Sequence, residues 1–471
     1  MLFSRQNKKG ICYIILPYTL FCLLCVVFSL RSKLFRRRNV PAWALQPPLS
    51  YAPSLPPPRH PSIAHLTPLQ KTHLVNLSDN PPEPSPNDQF KPWKARNAQT
   101  FISLHKCVMD PERLCENTSK GKVVILEADY FRWSLGGGND GEHIWASSVL
   151  TAFDSLGYTV LISESAEETN EWYSGLSGAV TTVIKTRDEV DKCVEDSRWG
   201  SKGSCLEGPD NTRGIPIWKI FSMYFFPTPA HPLGSAWTLS PEPYHYHSQI
   251  NTEARYLGYS IEKVCLKEPV VPWEKRDDRA YMFAKFDSYL TNSEATWSTS
   301  SFPTIQRLVN VTFVGGFMRQ HGNRADSPPQ IEGITNLGLL DREDFIQEMA
   351  KSKVLVGVGN PIISPTPYEA LCLGVPFINP IRQWDHDDPE DRDKWVTQHN
   401  GLIELNPPHV YHVRQHDEKA LGEAIHQAMN APIDRYILPR MREEGVKERV
   451  KRMVEDVDWW KKWRALPGVH N

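Results

Sequence analysis

Residues 353–380 combine residue types that could bind a phosphate group. A β-branched run at residues 354–358 is typical of a buried parallel strand, and a loop rich in Gly, Pro and Ser follows it. Thr366 suits a helix N-cap, Pro367 the first helical position, and Glu369 the position three residues after the cap. A strand, a loop and a helix N-terminus in this order bind nucleotides at the carboxyl edge of an open α/β sheet, because the helix start offers free N–H groups.

Glu369 has two interpretations. As part of a capping box, its carboxylate would accept a hydrogen bond from a backbone N–H group. As a site residue, it would accept hydrogen bonds from the ribose hydroxyls of a nucleotide. The local pattern alone favours the capping role.

A second candidate carboxylate follows a glycine-rich loop in the first half of the chain. The loop at residues 127–141, glycine-rich from residue 136, comes after a predicted strand, and Glu142 begins a segment with apolar residues at helical spacing. At that helix start Glu142 could face a cleft and accept the proton of an attacking hydroxyl. Glu127 and Asp129 at the end of the strand are competing candidates, and an ordinary first-turn glutamate is the alternative without a function.

Alternating strands and helices would position these residues. The chain has 471 residues, enough for two domains, and its net charge of −2 gives no reason to expect a nucleic-acid partner. Strands are predicted in the first domain at residues 122–126, 158–162 and 180–184, and in the second at 281–284, 311–314, 354–358, 377–378 and 410–412. A basic, Trp-rich helix at residues 446–463 would either cross back onto the first domain or pack on the second.

The N-terminal region predicts a membrane anchor. Residues 11–30 contain no charged residue and are long enough to span a bilayer, whereas the apolar core of a removed signal peptide is usually shorter. The count of basic residues on the two sides would by itself place the catalytic region in the cytosol. The Pro-rich stretch that follows cannot bury a core and predicts an extended stem.

Two other features favour a lumenal catalytic region. Asn76, Asn117 and Asn310 begin N-x-S/T sequons. The cysteines outside the anchor form an even set, which suggests disulfides in a lumen, with buried free thiols as the alternative. The local pairs predicted are Cys107–Cys115 and Cys193–Cys205.

These observations divide the chain into six parts. They are a cytosolic tail at residues 1–10, an anchor at 11–30, a stem at 31–118, a first Rossmann-like domain at 119–250, a second at 251–430, and a helical tail at 431–471.

Several segments together resemble glycosyltransferase family 18. SPTPYEALCLGVPFINP at residues 364–380 resembles the nucleotide-sugar segment of that family, and LDREDFIQEMAKSKVLVGVG lies directly upstream. RAYMFAKFDSYL at 279–290, YLGYSIEKVC at 256–265 and PPHVYHV at 407–413 also match. The resemblance covers most of residues 122–429, strongly in the second half and weakly in the first.

The resemblance implies roles for residues at matched positions. Glu142 would be the catalytic base. Lys285 would contact the nucleotide diphosphate and stabilise the departing UDP, although a lysine at a strand end is usually solvated. Glu262 would contribute to donor binding, with an exposed helix glutamate as the alternative, and the helix N–H groups after Pro365 would hold the diphosphate.

The implied fold is GT-B, with two Rossmann-like domains facing across a cleft. The implied reaction is inverting, metal-independent transfer of GlcNAc from UDP-GlcNAc to a mannose hydroxyl of a glycoprotein N-glycan in β-1,6 linkage, by a type II Golgi membrane protein. Residues 197–235 match weakly, so the acceptor could instead be a glycolipid or a fungal-type mannan. The alternatives are another GT-B activity, such as fucosyl transfer from GDP-fucose, and an inactive, membrane-anchored glycan-binding protein.

Metal binding is not expected. Asp385 and Asp387 form a D-x-D pattern that could bind Mg²⁺ or Mn²⁺, but they lie in a loop among other charges that is better explained as solvated. The cysteines and histidines show no zinc spacing. His409 and His412 are expected to be strand residues near the donor site.

Overall fold

The computed structural model describes residues 61–79, 91–110, 115, 118–198, 205–208, 211–226, 230–243, 255–322, 326–467 and 469. The predicted anchor at residues 11–30 and the sequon asparagine Asn117 lie outside these ranges. Within them, the helices are too short or too polar to cross a bilayer.

A parallel sheet of six strands forms the centre of the first domain, in the order β2-β1-β3-β4-β5-β6. Its strands are β1 (Val123–Leu126), β2 (Thr159–Ile162), β3 (Val180–Thr186), β4 (Ile220–Met223), β5 (Thr238–Ser240) and β6 (Arg255–Tyr256). β1 is apolar and buried at every position, as expected of a parallel strand covered by helices on both faces. The three strands predicted for this domain are confirmed.

Helices cover this first sheet. They are α1 (Pro68–Asp79), α2 (Pro92–Met109), α3 (Asp129–Leu135), α4 (Gly141–Ser155), α5 (Ala166–Leu176) and α6 (Arg187–Arg198). α4 confirms the helix predicted after the glycine-rich loop. α3 lies within the stretch predicted as loop, and its buried Phe131 holds it against the sheet.

α1 and α2 correct the prediction of an extended stem. Trp93, Phe101 and Leu104 lie on one side of α2 and are buried in the core of the first domain. The Asn97 side chain donates to the Ile162 carbonyl at 2.7 Å and accepts from the Ile162 N–H group at 3.0 Å. α2 therefore covers the edge strand β2, which would otherwise expose unpaired backbone groups.

A second sheet, of seven strands, forms the other domain, in the order β12-β11-β10-β7-β8-β9, with β13 also paired to β11. These strands are β7 (Arg279–Phe283), β8 (Thr312–Gly315), β9 (Ile334–Asn336), β10 (Val354–Gly357), β11 (Phe377–Gln383), β12 (Val396–Thr397) and β13 (Val410–Arg414). All pairs are parallel except β11 with β12. The five strands predicted here are confirmed, whereas β9 and β12 were not predicted.

The helices associated with the second sheet are α7 (Glu262–Cys265), α8 (Ser288–Thr291), α9 (Phe302–Val309), α10 (Arg342–Ala350), α11 (Thr366–Cys372) and α12 (Glu418–Asn430). The sequence predicts amphipathic helices at residues 341–353 and 417–429, and α10 and α12 confirm them.

The boundary predicted between residues 250 and 251 is wrong. β5 pairs with β4 at Ser222 and Thr238, and β6 pairs with β5, so β6 at Arg255–Tyr256 still belongs to the first sheet. The prolines of residues 227–249 predict a linker from the sequence. The three-residue strand β5 nevertheless forms within this segment, and the sequence pattern does not predict it.

The C-terminal segment returns to the first domain, as one of the two predicted alternatives required. It forms α13 (Glu443–Lys451) and α14 (Trp459–Arg464), joined by a π-helical turn (Arg452–Asp456), so the single predicted helix is interrupted. The Trp459 ring lies 4.7 Å from that of Phe221 and 5.3 Å from that of Trp237. Aromatic packing thus joins this segment to the first sheet.

Disulfides form at both predicted local pairs, Cys107–Cys115 and Cys193–Cys205. A third, Cys265–Cys372, links α7 to the end of α11 across 107 residues of sequence. It ties the segment that leaves the first sheet to the helix that begins at the predicted phosphate site.

Candidate functional site

The start of α4 in the first domain faces the start of α11 in the second. A Cβ atom built on Gly141 would lie 3.4 Å from Cδ of Pro365 and 3.1 Å from the Phe225 ring, so a glycine permits this close approach. Lys285 reaches across from the second domain, with its Nζ 3.9 Å from Oδ1 of Asp140. One interdomain cleft therefore brings together the helix start with the candidate base, the lysine and the proline before α11.

α11 begins one residue earlier than the sequence predicts. Pro365 is the N-cap, and Pro367 occupies the second helical position. The N-cap Pro365 offers no side-chain acceptor, so the predicted capping box is wrong. The Thr366 N–H group instead donates to the Ser364 hydroxyl at 3.4 Å. Ile363 has a φ of 56°, a left-handed conformation that is costly for a β-branched residue and is often found at ligand sites.

Glu369 is fully buried and forms an ion pair with Arg342 of α10. Its Oε1 accepts a hydrogen bond from the Arg342 side chain, which is 26% exposed. Its Oε2 is buried and accepts no hydrogen bond from the described part of the chain. The carboxylate therefore has charge compensation on one side and an unused acceptor on the other.

The loop before α11 is held by two residues that the sequence did not single out. Gln398 accepts from the Gly359 N–H group at 2.9 Å and donates to the Pro361 carbonyl at 3.1 Å. Nε2 of His399 lies 3.0 Å from the Ser364 carbonyl, and burial lowers the pKa of His399 to about 3. No local motif marks these residues, because the pairing of β12 with β11 brings them to the loop from 35 residues away.

A buried polar cluster joins α11 to both domains. The Tyr368 hydroxyl donates to Oε1 of Glu242 at 2.8 Å and accepts from Nη2 of Arg440 at 2.9 Å. The Tyr259 hydroxyl donates to the same oxygen of Glu242 at 3.4 Å. Burial raises the pKa of Glu242, although Arg440 and the two tyrosine hydroxyls act in the opposite direction. The start of α11 is therefore fixed by groups from three separate parts of the chain.

The first-domain wall of the cleft is acidic. Burial, and then the negative charges of Glu142, Asp129, Asp188 and Glu189, raise the pKa of Tyr130 to about 12. Glu142 is partly exposed at the start of α4. The sequence singled out Glu142 and Asp129 but not the others, which follow β3 and reach this edge through the sheet order.

Glu127, the other competing carboxylate, is already paired. It forms a buried ion pair with Lys185 at the end of β3, with 3% and 0% of the two side chains exposed. Both charges are removed from water, so each needs the other for charge compensation. A proton acceptor for an incoming hydroxyl would have to come from a less engaged group.

Glu262 lies apart from the cleft residues. Its Oε2 accepts from the Glu443 N–H group at 2.7 Å at the start of α13. The neighbouring Lys263 donates to Thr151, ten residues along α4 from Gly141, or about 15 Å at 1.5 Å per residue. In this arrangement Glu262 stabilises the start of the C-terminal helix.

The described residues contain no cluster of three or more acidic, His or Cys side chains suited to a metal ion. Asp387 is exposed, and its N–H group donates to the Asp385 carboxylate at 2.9 Å within a loop. His412 lies in β13, with Nε2 3.0 Å from the Leu405 carbonyl, and burial lowers its pKa to about 4. His409 precedes that strand and packs on Tyr436 with ring centroids 4.5 Å apart.

Comparison with curated proteins finds relatives with one described activity. The chain is 21% identical over 400 residues to the human protein "Alpha-1,6-mannosylglycoprotein 6-beta-N-acetylglucosaminyltransferase A", covering 77% of this chain and 52% of the relative. It is 28% identical over 131 residues to a Caenorhabditis elegans "Alpha-1,6-mannosylglycoprotein 6-beta-N-acetylglucosaminyltransferase", covering 26% of this chain and 19% of the relative. The chain spans about half the length of the human relative.

The comparison with solved structures finds, among others, a Methanocaldococcus jannaschii UDP-GlcNAc 2-epimerase in complex with UDP-GlcNAc and UDP. It has a TM-score of 0.36 and 10% identity, covering 71% of this chain and 100% of that one. The Anabaena protein HepE in complex with UDP and glucose has a TM-score of 0.34 and 8% identity, covering 72% and 97%.

The family model for glycosyltransferase family 18 matches residues 233–469. That match includes β5, the whole second sheet and the returning C-terminal helices. It extends over half of the 471 residues, and the chain therefore belongs to glycosyltransferase family 18.

Proposed function

We propose that this protein is an inverting glycosyltransferase of GT-B architecture. It transfers GlcNAc from UDP-GlcNAc to a mannose hydroxyl of a glycoprotein N-glycan, in β-1,6 linkage and without a metal ion. The observation that carries the proposal is the cleft where a carboxylate-bearing helix start faces a lysine and a buried glutamate of the other domain. The activity described for the relatives supports the choice of donor and acceptor.

The second domain would bind the donor. α11 has seven residues, so its dipole is short, and most of the positive charge near the diphosphate would come from Lys285. Oε2 of Glu369 has no hydrogen-bond partner among the described residues. It would accept a hydrogen bond from a ribose hydroxyl once the partly exposed Arg342 side chain moves aside. Pro365, Thr366 and Pro367 would set the position of the helix start.

The first domain would activate the acceptor. Glu142 takes the proton of the mannose hydroxyl while the hydroxyl oxygen forms a bond to the anomeric carbon. The bond from that carbon to UDP breaks on the opposite face, so the configuration inverts and UDP leaves with the electron pair. Pairing of Glu127 with Lys185 leaves Glu142 and Asp129 as the available bases among the three carboxylates that the sequence singles out.

We propose a type II Golgi membrane protein with a lumenal catalytic region. Three disulfides among the described residues suit an oxidising compartment. The sequon asparagines Asn76 and Asn310 are exposed. The anchor would be residues 11–30.

The test is nucleotide binding followed by transfer. A soluble form should retain residues from 61 onward, because Trp93 and Asn97 pack into the first domain. UDP should raise its melting temperature without added metal. At a hundredfold excess over Kd, binding to the native state alone adds about 2.7 kcal/mol to the free energy of unfolding. It should then transfer GlcNAc to a mannose-terminated N-glycan. Stabilisation by GDP but not UDP would reject the donor, and glycan binding without transfer would reject the enzyme.

A further inference from the structure

A pocket of about 670 Å³ opens in the first domain, away from the interdomain cleft. Gly178, shortly before β3, and Lys219, directly before β4, both line it, so it lies at the amino-terminal edge of the sheet. Glu127 and Arg187 directly follow β1 and β3 and mark the opposite, carboxyl-terminal edge of the sheet, where the cleft lies. The pocket volume is within the range of roughly 300–1,000 Å³ typical of small-molecule sites.

Aromatic rings from distant parts of the chain form much of its wall. Tyr173 comes from α5, Trp218 from the segment before β4, and Trp460 and Trp463 from α14. Trp218 and Trp460 remain partly exposed, whereas Tyr173 and Trp463 are buried. The pocket is complete only when the C-terminal segment has docked on the first domain.

Two buried polar atoms of the lining have no protein partner. Trp463 is 3% exposed, and its Nε1–H group donates to none of the described residues. Nε2 of His73 is likewise buried without a partner from the described ranges. Both atoms lie beneath the pocket surface, so a ligand hydroxyl reaches them only when the two rings turn. An unsatisfied buried polar group costs roughly 1–3 kcal/mol, which hydrogen bonds to such a ligand would recover.

The charges in the pocket are balanced. Lys219 is 5% exposed, and its Nζ donates to the Val180 carbonyl at 2.8 Å and to the Ser177 carbonyl at 3.2 Å. Burial lowers the pKa of Lys219, and the negative charge of Glu207 acts in the opposite direction. Glu171 and Arg213 at the opening also carry opposite charges. Aromatic faces, unused hydrogen-bonding atoms and balanced charges favour an uncharged polyhydroxyl ligand over a phosphate or an acidic peptide.

We propose that this pocket is a second saccharide-binding site, which takes a neutral sugar unit of a glycan while the cleft carries out transfer. The C–H faces of the sugar lie against Trp218 and Trp460. Its hydroxyls bond to the exposed Glu171 and, once the rings of Trp463 and His73 turn, to those two side chains. Such a site would hold a multi-branched acceptor and raise its local concentration at the cleft. The choice of a mannose probe and the delivery of an acceptor to the cleft rest on the proposed function.

Binding of a neutral mannose oligosaccharide to the disulfide-bonded protein, saturated with UDP, tests the proposal. Trp460→Ala should weaken this binding at least about tenfold in ligand-detected NMR and calorimetry. A tenfold rise in Kd corresponds to ~1.4 kcal/mol, which we assign to one lost stacking contact. Glu171→Ala, an exposed substitution that leaves the core intact, should weaken it by a smaller factor. Trp384→Ala, which removes a half-buried tryptophan of the second domain, should leave it unchanged.

Three outcomes would overturn the proposal: no binding by the wild-type protein, binding that Trp460→Ala and Glu171→Ala both leave unchanged, or a preference for an acidic over a neutral oligosaccharide. Glu142→Gln separates this proposal from the proposed function. Pocket binding retained in Glu142→Gln supports the second site whether or not the wild-type protein transfers GlcNAc. Transfer by a wild-type protein that shows no second-site binding would reject the pocket alone.

Discussion

The two helix starts that face each other across the cleft differ in how firmly they are held. Every residue of α11 is buried, Glu369 is paired with Arg342, and Tyr368 belongs to a buried hydrogen-bonded cluster. At the start of α4, the Asp140 side chain is 65% exposed, and Glu142 is partly exposed. One wall of the cleft is therefore fixed, while the other is open to solvent.

This difference separates positioning from chemistry. A fixed wall holds its polar groups in place before a ligand arrives, which avoids reorganisation when charge develops. An open wall can admit a large acceptor. Substitutions in the fixed wall should therefore act mainly on stability and donor affinity, whereas those in the open wall should act on turnover.

The largest effect is expected at Glu142. Glu142→Gln keeps the shape of the side chain but cannot accept a proton, so it should lower kcat by about 10²–10⁴-fold and leave UDP affinity unchanged. Asp129→Asn on the same wall is the matched control and should have a much smaller effect. Steady-state kinetics and calorimetry with UDP measure the two quantities. Near wild-type turnover of Glu142→Gln would transfer the role of base to Asp129.

Removal of Arg342 should be the most damaging change to the fixed wall. Arg342→Met leaves the fully buried Glu369 without its ion-pair partner, and breaking a buried pair costs about 3–5 kcal/mol. Since Arg342 is 26% exposed, the loss of unfolding free energy should lie near the lower end of that range. Urea denaturation measures it, with Arg414→Met as the control, because the Arg414 partner Glu390 is 78% exposed. An equal, small loss in both variants would contradict the contrast between the two walls.

The sequence predicts the strands that carry the fixed wall but not the contacts that fix it. β10 and β11 are short apolar runs beside a Gly/Pro/Ser loop, so their position follows from local pattern. The Glu369 partner lies 27 residues upstream, and Glu242 lies 126 residues before Tyr368. Such pairs arise from tertiary packing, and for that reason the local pattern favoured a capping box at Glu369.

For the open wall, the sequence predicts the segment that carries the candidate base but not the elements packed around it. Its glycine-rich loop and helix start were recognisable, and α4 begins within one residue of the predicted position. The elements around it were not, because α2 follows a Pro-rich stretch and β5 lies within a proline-rich segment. Burial of Trp93 and Phe101 against the first domain outweighs the local composition there.

Two tyrosines with one acceptor allow a finer test of the fixed wall. Tyr368→Phe removes the hydroxyl between Arg440 and Glu242 and leaves both buried groups with fewer partners, which should cost about 1–3 kcal/mol. Tyr259→Phe removes a single, longer hydrogen bond of 3.4 Å to the same Glu242 oxygen and should cost less. Both side chains are fully buried, so their packing losses are comparable. Urea denaturation and UDP calorimetry of the two variants should rank Tyr368 above Tyr259, and the reverse order would place the restraint outside α11.

The smallest effect is expected for the ion pair that crosses the cleft. Lys285 and Asp140 are both more than half exposed and 3.9 Å apart, so breaking the pair by Asp140→Asn should change stability by less than about 1 kcal/mol. The same change frees Lys285 for the diphosphate and should leave UDP affinity equal or slightly higher, whereas Lys285→Ala should lower it by up to about fivefold at low salt. A double-mutant cycle of Asp140→Asn and Lys285→Ala, with UDP affinity measured by calorimetry, isolates the coupling between the two charges. High salt should remove most of this coupling, because both side chains are solvated. A loss from Lys285→Ala that is far larger and independent of salt would mean that the lysine becomes buried against the diphosphate, and that UDP closes the open wall.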